Sequence, residues 1–201
     1  MKRSKLRIPC AVGHIETLLN DPGDNRRGLA FIAHPHPLHG GTLDNKVVQS
    51  IAQLCHDQAY VAVRPNFRGV GRSDGVYTGG SGETEDMLAV IAFVRSHYES
   101  TLPVVLVGFS FGSYVQHCVA RQIPASKLLL IAPAVNLYEF GSISVNTAII
   151  HGESDEVVPY RAAQAWAQAN DIAFYGIAGA GHFFHGKLTE LKEAALSICL
   201  S

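Results

Sequence analysis

Two kinds of pattern alternate along the chain. Short apolar runs predict strands over Leu6–Val12, His14–Leu19, Gly28–His34, Tyr60–Pro65, Val104–Gly108, Lys127–Ala132, Thr147–His151 and Ile172–Ile177. Several are followed by amphipathic segments. Asn45–His56 sets Val47, Val48, Ile51, Leu54 and Cys55 on one stripe at helical spacing. Glu83–His97 opens with Glu83, Glu85 and Asp86, acids that suit the positive end of a helix. Tyr114–Ala120 also reads as helix, and Leu188, Leu191, Ala195 and Ile198 give the last helix a buried face. The first two strands lie close enough for a hairpin, with Asp21-Pro22-Gly23-Asp24 as the turn beyond it. Strands that alternate with helices indicate a mainly parallel sheet covered on both faces. The expectation is therefore a three-layer α/β/α sandwich built on a mostly parallel eight-stranded sheet. No repeat, low-complexity tract or linker breaks the pattern, so one domain over residues 1–201 is expected.

Composition narrows the picture. A chain of 201 residues suffices for one well-buried α/β domain and is short for two. The hydrophobic fraction, 47%, is ordinary, whereas 16% charged residues is low. A formal net charge of −1 gives no electrostatic attraction to nucleic acid or an anionic membrane, and neither is expected as a partner. No apolar run approaches the roughly 20 residues that span a bilayer. Lys2, Arg3, Lys5 and Arg7 make a cationic start, but Pro9, Gly13, His14 and Glu16 interrupt the stretch after it, so no export-type apolar segment is formed. Cys10, Cys55, Cys118 and Cys199 lie far apart without a C-x-x-C pair, which favours free thiols and a cytoplasmic location. The low charge content permits a subunit interface without requiring one.

The strongest chemical signal is Gly108-Phe109-Ser110-Phe111-Gly112, directly after Val104-Val105-Leu106-Val107. A buried strand running through such a turn into a helix holds the serine on a strained bend, with its hydroxyl at the sheet edge. The flanking glycines let strand and helix approach where side chains would collide. A serine hydroxyl is a poor nucleophile at neutral pH and needs a base, which in turn needs a partner to fix its tautomer. Asp155 and His182 leave the ends of two later strands, and in an open parallel sheet those ends share one edge. Each has a competitor: Asp155 as a helix N-cap before Tyr160–Ala169, with Glu153 as the alternative acid, and His185 in place of His182. His151, at a strand end, reads as structural.

These motifs, with His151-Gly152-Glu153-Ser154-Asp155-Glu156-Val157-Val158-Pro159 and Gly179-Ala180-Gly181-His182, resemble the α/β-hydrolase superfamily over essentially the whole chain. The stretch from His34 to Lys46 is similar to that of a subgroup of small, lidless, bacterial hydrolases, with dienelactone-hydrolase-like enzymes as the nearest better-defined relatives. The resemblance implies Ser110 as nucleophile, His182 as general base and then acid, and Asp155 as the orienting carboxylate. It implies a cofactor-free serine hydrolase acting on a small-molecule carboxylic ester or thioester through an acyl-serine intermediate. A peptidase or amidase, a dienelactone-type or a C–C bond hydrolase would use the same triad. A non-catalytic binding protein on this fold is the alternative of another class.

An oxyanion needs preorganised N–H donors. The backbone N–H of Phe111, next after the nucleophile, is one candidate. Pro35 and Pro37 have no N–H, and aligning His34-Pro35 with the family's usual His-Gly places the N–H of His36 as the second, with Leu38 as runner-up. His34, His36 and His39 invite a zinc reading, but the prolines fix backbone directions and only Asp44 offers a carboxylate, so no metal is expected. Asn66-Phe67-Arg68-Gly69-Val70-Gly71-Arg72-Ser73 looks like the superfamily's Asp-x-Arg-Gly-x-Gly-x-Ser turn with Asn66 for the usual acid, and reads as structural. Pro133–Asn146 is too short for a helical cap, so an open cleft is expected. Its apolar walls are assigned to Leu38, Phe109, Tyr138 and Phe183, with Phe111 and Phe184 as further candidates.

Overall fold

Apolar residues on both faces of successive strands force a sheet that is covered on both sides, and the computed structural model has one. It describes residues 2–143 and 145–200, and for residues 2, 199 and 200 the backbone alone. The side chain of Cys199, read above as a free thiol, lies outside the described residues, whereas Cys10, Cys55 and Cys118 form no disulfide among the described residues. Eight strands form one sheet: β1 Lys2–Cys10, β2 Gly13–Asp21, β3 Gly28–Ala33, β4 Tyr60–Pro65, β5 Val104–Phe109, β6 Lys127–Ile131, β7 Thr147–Gly152 and β8 Ala173–Ile177. Their spatial order is β1-β2-β4-β3-β5-β6-β7-β8. β1 pairs antiparallel with β2, and β2 with β4, while every other pair is parallel. The helices are α1 Lys46–Asp57, α2 Ser81–Arg95, α3 Phe111–Ala120, α4 Tyr160–Ala169 and α5 Leu188–Ala195. Among the described residues no helix is long and apolar enough to cross a membrane.

Period-two alternation divides each central strand between two cores. Ala30, Ile32, Val105, Val107, Leu129 and Ile131 face one side with Val48 and Ile51 of α1 and Leu191 of α5. Leu29, Phe31, Val104, Leu106, Leu128 and Leu130 face the other with Met87 and Val90 of α2 and Val115 of α3. The three-layer expectation holds. β1 begins at Lys2 instead of Leu6, because pairing with β2 continues along the whole hairpin from Cys10↔Gly13 to Lys2↔Asp21.

The acids that open α2 do more than complement its dipole. Glu83 is buried and accepts from the backbone N–H of Thr78 (2.9 Å) and Gly80 (2.7 Å), capping the first turn. Asp86 takes a two-pronged, buried contact from Arg68 at 2.7 and 2.9 Å, which holds the guanidinium charged. Thus the Asn66–Ser73 turn is bolted to α2. Asn66 Oδ1 accepts from the Leu43 N–H (2.8 Å), and its Nδ2 donates to Glu16 Oε2 (2.8 Å). An aspartate at position 66 would face that carboxylate with like charge, which accounts for the amide.

Two buried histidines serve as acceptors for backbone N–H groups. His34 Nε2 accepts from Phe67 (2.9 Å) while Nδ1 donates to the Pro35 carbonyl (2.7 Å), and His117 Nε2 accepts from Gly141 (3.1 Å). Burial lowers both pKa values from 6.5 to about 4; the Pro35 contact partly opposes this in His34, and the charge of Arg121 adds to it in His117. The unfolded chain therefore binds protons below about 6.5 that the fold refuses. Stability is complete above that pH and falls toward about 4. Moving from about pH 7 to about pH 5 should cost on the order of 2 kcal/mol per histidine, read as a lower urea midpoint. His117→Gln, whose side-chain oxygen can accept from Gly141, should remove that residue's share of the slope.

Candidate active site

β5 ends at Phe109 and α3 begins at Phe111, leaving Ser110 between them at φ 56°, ψ −117°. That backbone is strained for a residue with a β-carbon. It persists because the surroundings over-determine it: Ser110 N donates to the Ile131 carbonyl (2.8 Å), and Ser113 Oγ donates to the Gly108 carbonyl (2.8 Å). A β-carbon on Gly108 would collide with the carbonyl oxygen of Gly112, and one on Gly112 with those of Ala33 and His34. The α3 N-terminus is thus pressed against both β5 and the end of β3.

The loops after β7 and β8 meet at this serine. His182 Nε2 lies 3.0 Å from Ser110 Oγ, and His182 Nδ1 lies 2.8 Å from Asp155 Oδ2. A carboxylate opposite Nδ1 places the proton there and leaves the Nε2 lone pair facing the hydroxyl. His182 is 2% exposed and the Asp155 side chain fully buried. Burial alone would raise the Asp155 pKa. Hydrogen bonds from His151, His182 and the Val158 N–H, with the charge of His182, outweigh it and hold the carboxyl well below the usual range. Asp155 does not cap α4, whose N-cap is Pro159; its Oδ1 instead accepts from the N–H groups of Val157 (2.8 Å) and Val158 (2.7 Å). Glu156, next along the loop, accepts from the His182 N–H at 3.2 Å. His185 is exposed and packs against Phe183. His151, read as purely structural, reaches Asp155 Oδ2 at 3.3 Å. Its spacing four residues before Asp155 was the available signal.

Ser110 and His182 open into a cleft of about 510 Å³. His36 and Phe111 line it, their rings 5.1 Å apart, and among the described residues neither backbone N–H has an acceptor. The Leu38 N–H is occupied by His36 Nδ1 (3.2 Å). Tyr138 and Phe183 also line the cleft, but two expected wall residues do not. Leu38 projects into solvent, 69% exposed, because the short 3-10 turn Pro37–His39 rotates it outward. Phe109 is buried in the core under His182, since odd positions of β5 face inward with Val105 and Val107. Of the two further candidates, Phe184 is likewise buried, and Phe111 borders the cleft with its side chain buried. The walls instead include Ala134, Leu137 and Val157, which sequence reading missed because they lie on irregular loops without periodicity. Burial and the charge of His39 lower the pKa of His36. Among the described residues no three His, Cys, Asp or Glu side chains are grouped to hold a metal ion, and His34 is turned away to Phe67. A larger hollow of about 900 Å³ lies at Asp21, Arg26 and Tyr98 and includes none of these residues.

Residues 17–142 match the X-Pro dipeptidyl-peptidase (S15) family. A protein of Rickettsia prowazekii (strain Madrid E) is 31% identical over 181 residues, covering 83% of this chain and 76% of its own length. An alpha-beta serine hydrolase homologue from Coxiella burnetii superposes with a TM-score of 0.92 at 38% identity, over 98% of this chain and 97% of its own. A lidless a/b serine hydrolase from Xanthomonas campestris gives a TM-score of 0.92 at 30% identity, over 98% and 93%. The close approach at the elbow also sets stability, whatever the chemistry. Gly108→Ala and Gly112→Ala should each destabilise by roughly 3 kcal/mol or fail to fold, measured by chemical denaturation, because the obstructing atoms are backbone.

Proposed function

The chain belongs to the X-Pro dipeptidyl-peptidase (S15) family and is a hydrolase of the α/β serine type; from that premise we propose that it cleaves a carboxylic ester or thioester through an acyl-serine intermediate. The observation that carries this reading is the unbroken set of contacts from Asp155 through His182 to Ser110. Ser110 Oγ attacks the acyl carbonyl while His182 Nε2 takes its proton, and ionised Asp155 stabilises the resulting imidazolium. The N–H groups of His36 and Phe111 receive the charge on the tetrahedral oxygen. His182 then protonates the departing alcohol or thiol. Water, activated by the same imidazole, attacks the acyl-serine and releases the acid.

The family match favours a second reading, cleavage after an Xaa-Pro dipeptide. Such a substrate presents a free ammonium terminus. Among the described residues the cleft is lined by no carboxylate, and its ionisable contributors apart from Tyr138 are His36, His39 and His182. A cationic end would therefore be desolvated without a counter-charge. The apolar contributors, with Leu137 64% and Phe183 39% exposed, suit a short acyl group.

A fluorophosphonate probe should label wild type at Ser110 and leave Ser110→Ala unlabelled by intact-mass analysis; labelling elsewhere would remove Ser110 from the role. Asp155→Asn should lower kcat by about 10⁴, because the amide favours the wrong imidazole tautomer. Across 4-nitrophenyl esters and Xaa-Pro anilides, short-chain esters should give the highest kcat/KM. A preference for the anilides would select the peptidase reading, and a sharp optimum at long acyl chains would contradict the open cleft.

A further inference from the structure

Asp155 is surrounded by more donors than a hydrogen bond to one imidazole requires. Oδ1 already accepts two backbone N–H groups, and Oδ2 faces His182 Nδ1 at 2.8 Å and His151 Nε2 at 3.3 Å. The His151 ring sits at the end of β7, fully buried, between Tyr160 and Phe174. Its Nε2 also lies 3.0 Å from the Val158 carbonyl oxygen. Two acceptors face the same nitrogen, so Nε2 carries the proton and shares it in a three-centre contact. Among the described residues, buried Nδ1 has no hydrogen-bond partner. A buried nitrogen without a partner has lost its hydration uncompensated, a cost that a leucine of similar bulk would avoid. Packing therefore does not account for a histidine. What the ring adds over a hydrocarbon is one N–H, shared between the Val158 carbonyl oxygen and the carboxylate oxygen that also receives His182.

We propose that His151 is a positioning residue for the hydrolytic reaction: it fixes the plane of the Asp155 carboxylate and withdraws charge from the oxygen facing His182. The inference rests on the roles given above to Ser110, His182 and Asp155. Two donors on one oxygen divide its negative charge. Removing one concentrates that charge on the remaining contact, so the imidazolium is held more tightly and the free base is less available at a given pH. The groups facing this carboxylate are His151 from β7, His182 from the loop after β8, and the backbone of Val157 and Val158. Beyond them, Tyr160 of α4 flanks His151, Glu156 holds the His182 N–H, and Ser110 completes the line.

The test compares His151→Leu with His151→Gln, whose side-chain amide can place an N–H where Nε2 stood. With a short neutral ester, the leucine variant should lose about tenfold in kcat with KM changed less than about twofold. The acid limb of its kcat/KM profile should move to higher pH, and glutamine should restore both. Leucine and glutamine variants with equal losses, or a folded leucine variant with the wild-type profile, would overturn the proposal. The low-field proton resonance of the His182–Asp155 contact, recorded in a Ser110→Ala background, provides a readout without turnover. It should move with leucine and return with glutamine, and an unmoved resonance rejects the role of His151. Failure of Ser110 to take the fluorophosphonate in wild type would reject the hydrolytic reading instead, and the resonance would still decide what His151 does to Asp155.

Discussion

The short contact between His182 Nδ1 and Asp155 Oδ2 spans two loops that have no sequence proximity, and its existence depends on the sheet. β7 and β8 are parallel neighbours, so their following loops leave the same edge and run side by side. Ser154 N donates to the Ala180 carbonyl (2.9 Å), and Glu153 N to Ile177 (3.1 Å), so the loops are laced together by backbone before any side chain meets. The imidazole is then held by the carboxylate and by the ring of Phe109 beneath it at 5.3 Å, while Glu156 fixes the backbone N–H of the same residue. Under the proposed reading, a base confined in this way needs little reorganisation to act.

A second constraint acts from the opposite flank of the elbow. The loop after β3 carries the His36 N–H, which under the proposed reading is a donor to the oxyanion and must stay put. His34 is wedged beneath it as a neutral ring, bridging Pro35 and Phe67. Asn66 and Arg64 anchor Leu43 farther along, through its N–H and its carbonyl. Neutral acceptors and a buried ion pair, Arg68 with Asp86, hold this flank at low charge density. That matches a composition with few charged residues: most polar ties here are made to backbone.

The sheet and its helices were legible because parallel strands are apolar on both faces and helices repeat at their own period. The elbow was legible because glycines at 108 and 112 and serine at 110 are a local requirement of one backbone geometry. Asp155 and His182 needed the added inference that strand ends share an edge. What could not be read was orientation. Phe109 and Phe111 are equivalent in a string of letters, yet one ends β5 and packs beneath the site in one core, while the other opens α3 and packs in the opposite core at the border of the cleft. Leu38 looked apolar enough to be a wall, but a 3-10 turn exposes it. Glu83 and Asp86 read as acids that suit the positive end of a helix, and only tertiary partners reveal them as a buried cap and a buried ion pair. The His151 contact depends on a bend between β7 and Asp155 that no periodicity encodes.

The connection between β6 and β7 is a short irregular segment that contributes Ala134, Leu137 and Tyr138 to the rim instead of a roof. Under the acyl-serine reading, turnover then has no opening or closing step to wait for, and bulk water stands next to the acyl group throughout. Deacylation is never starved of its second reactant. A competing alcohol or amine could capture the acyl group only by outrunning water at its full bulk concentration, so under that reading the open architecture favours hydrolysis over acyl exchange.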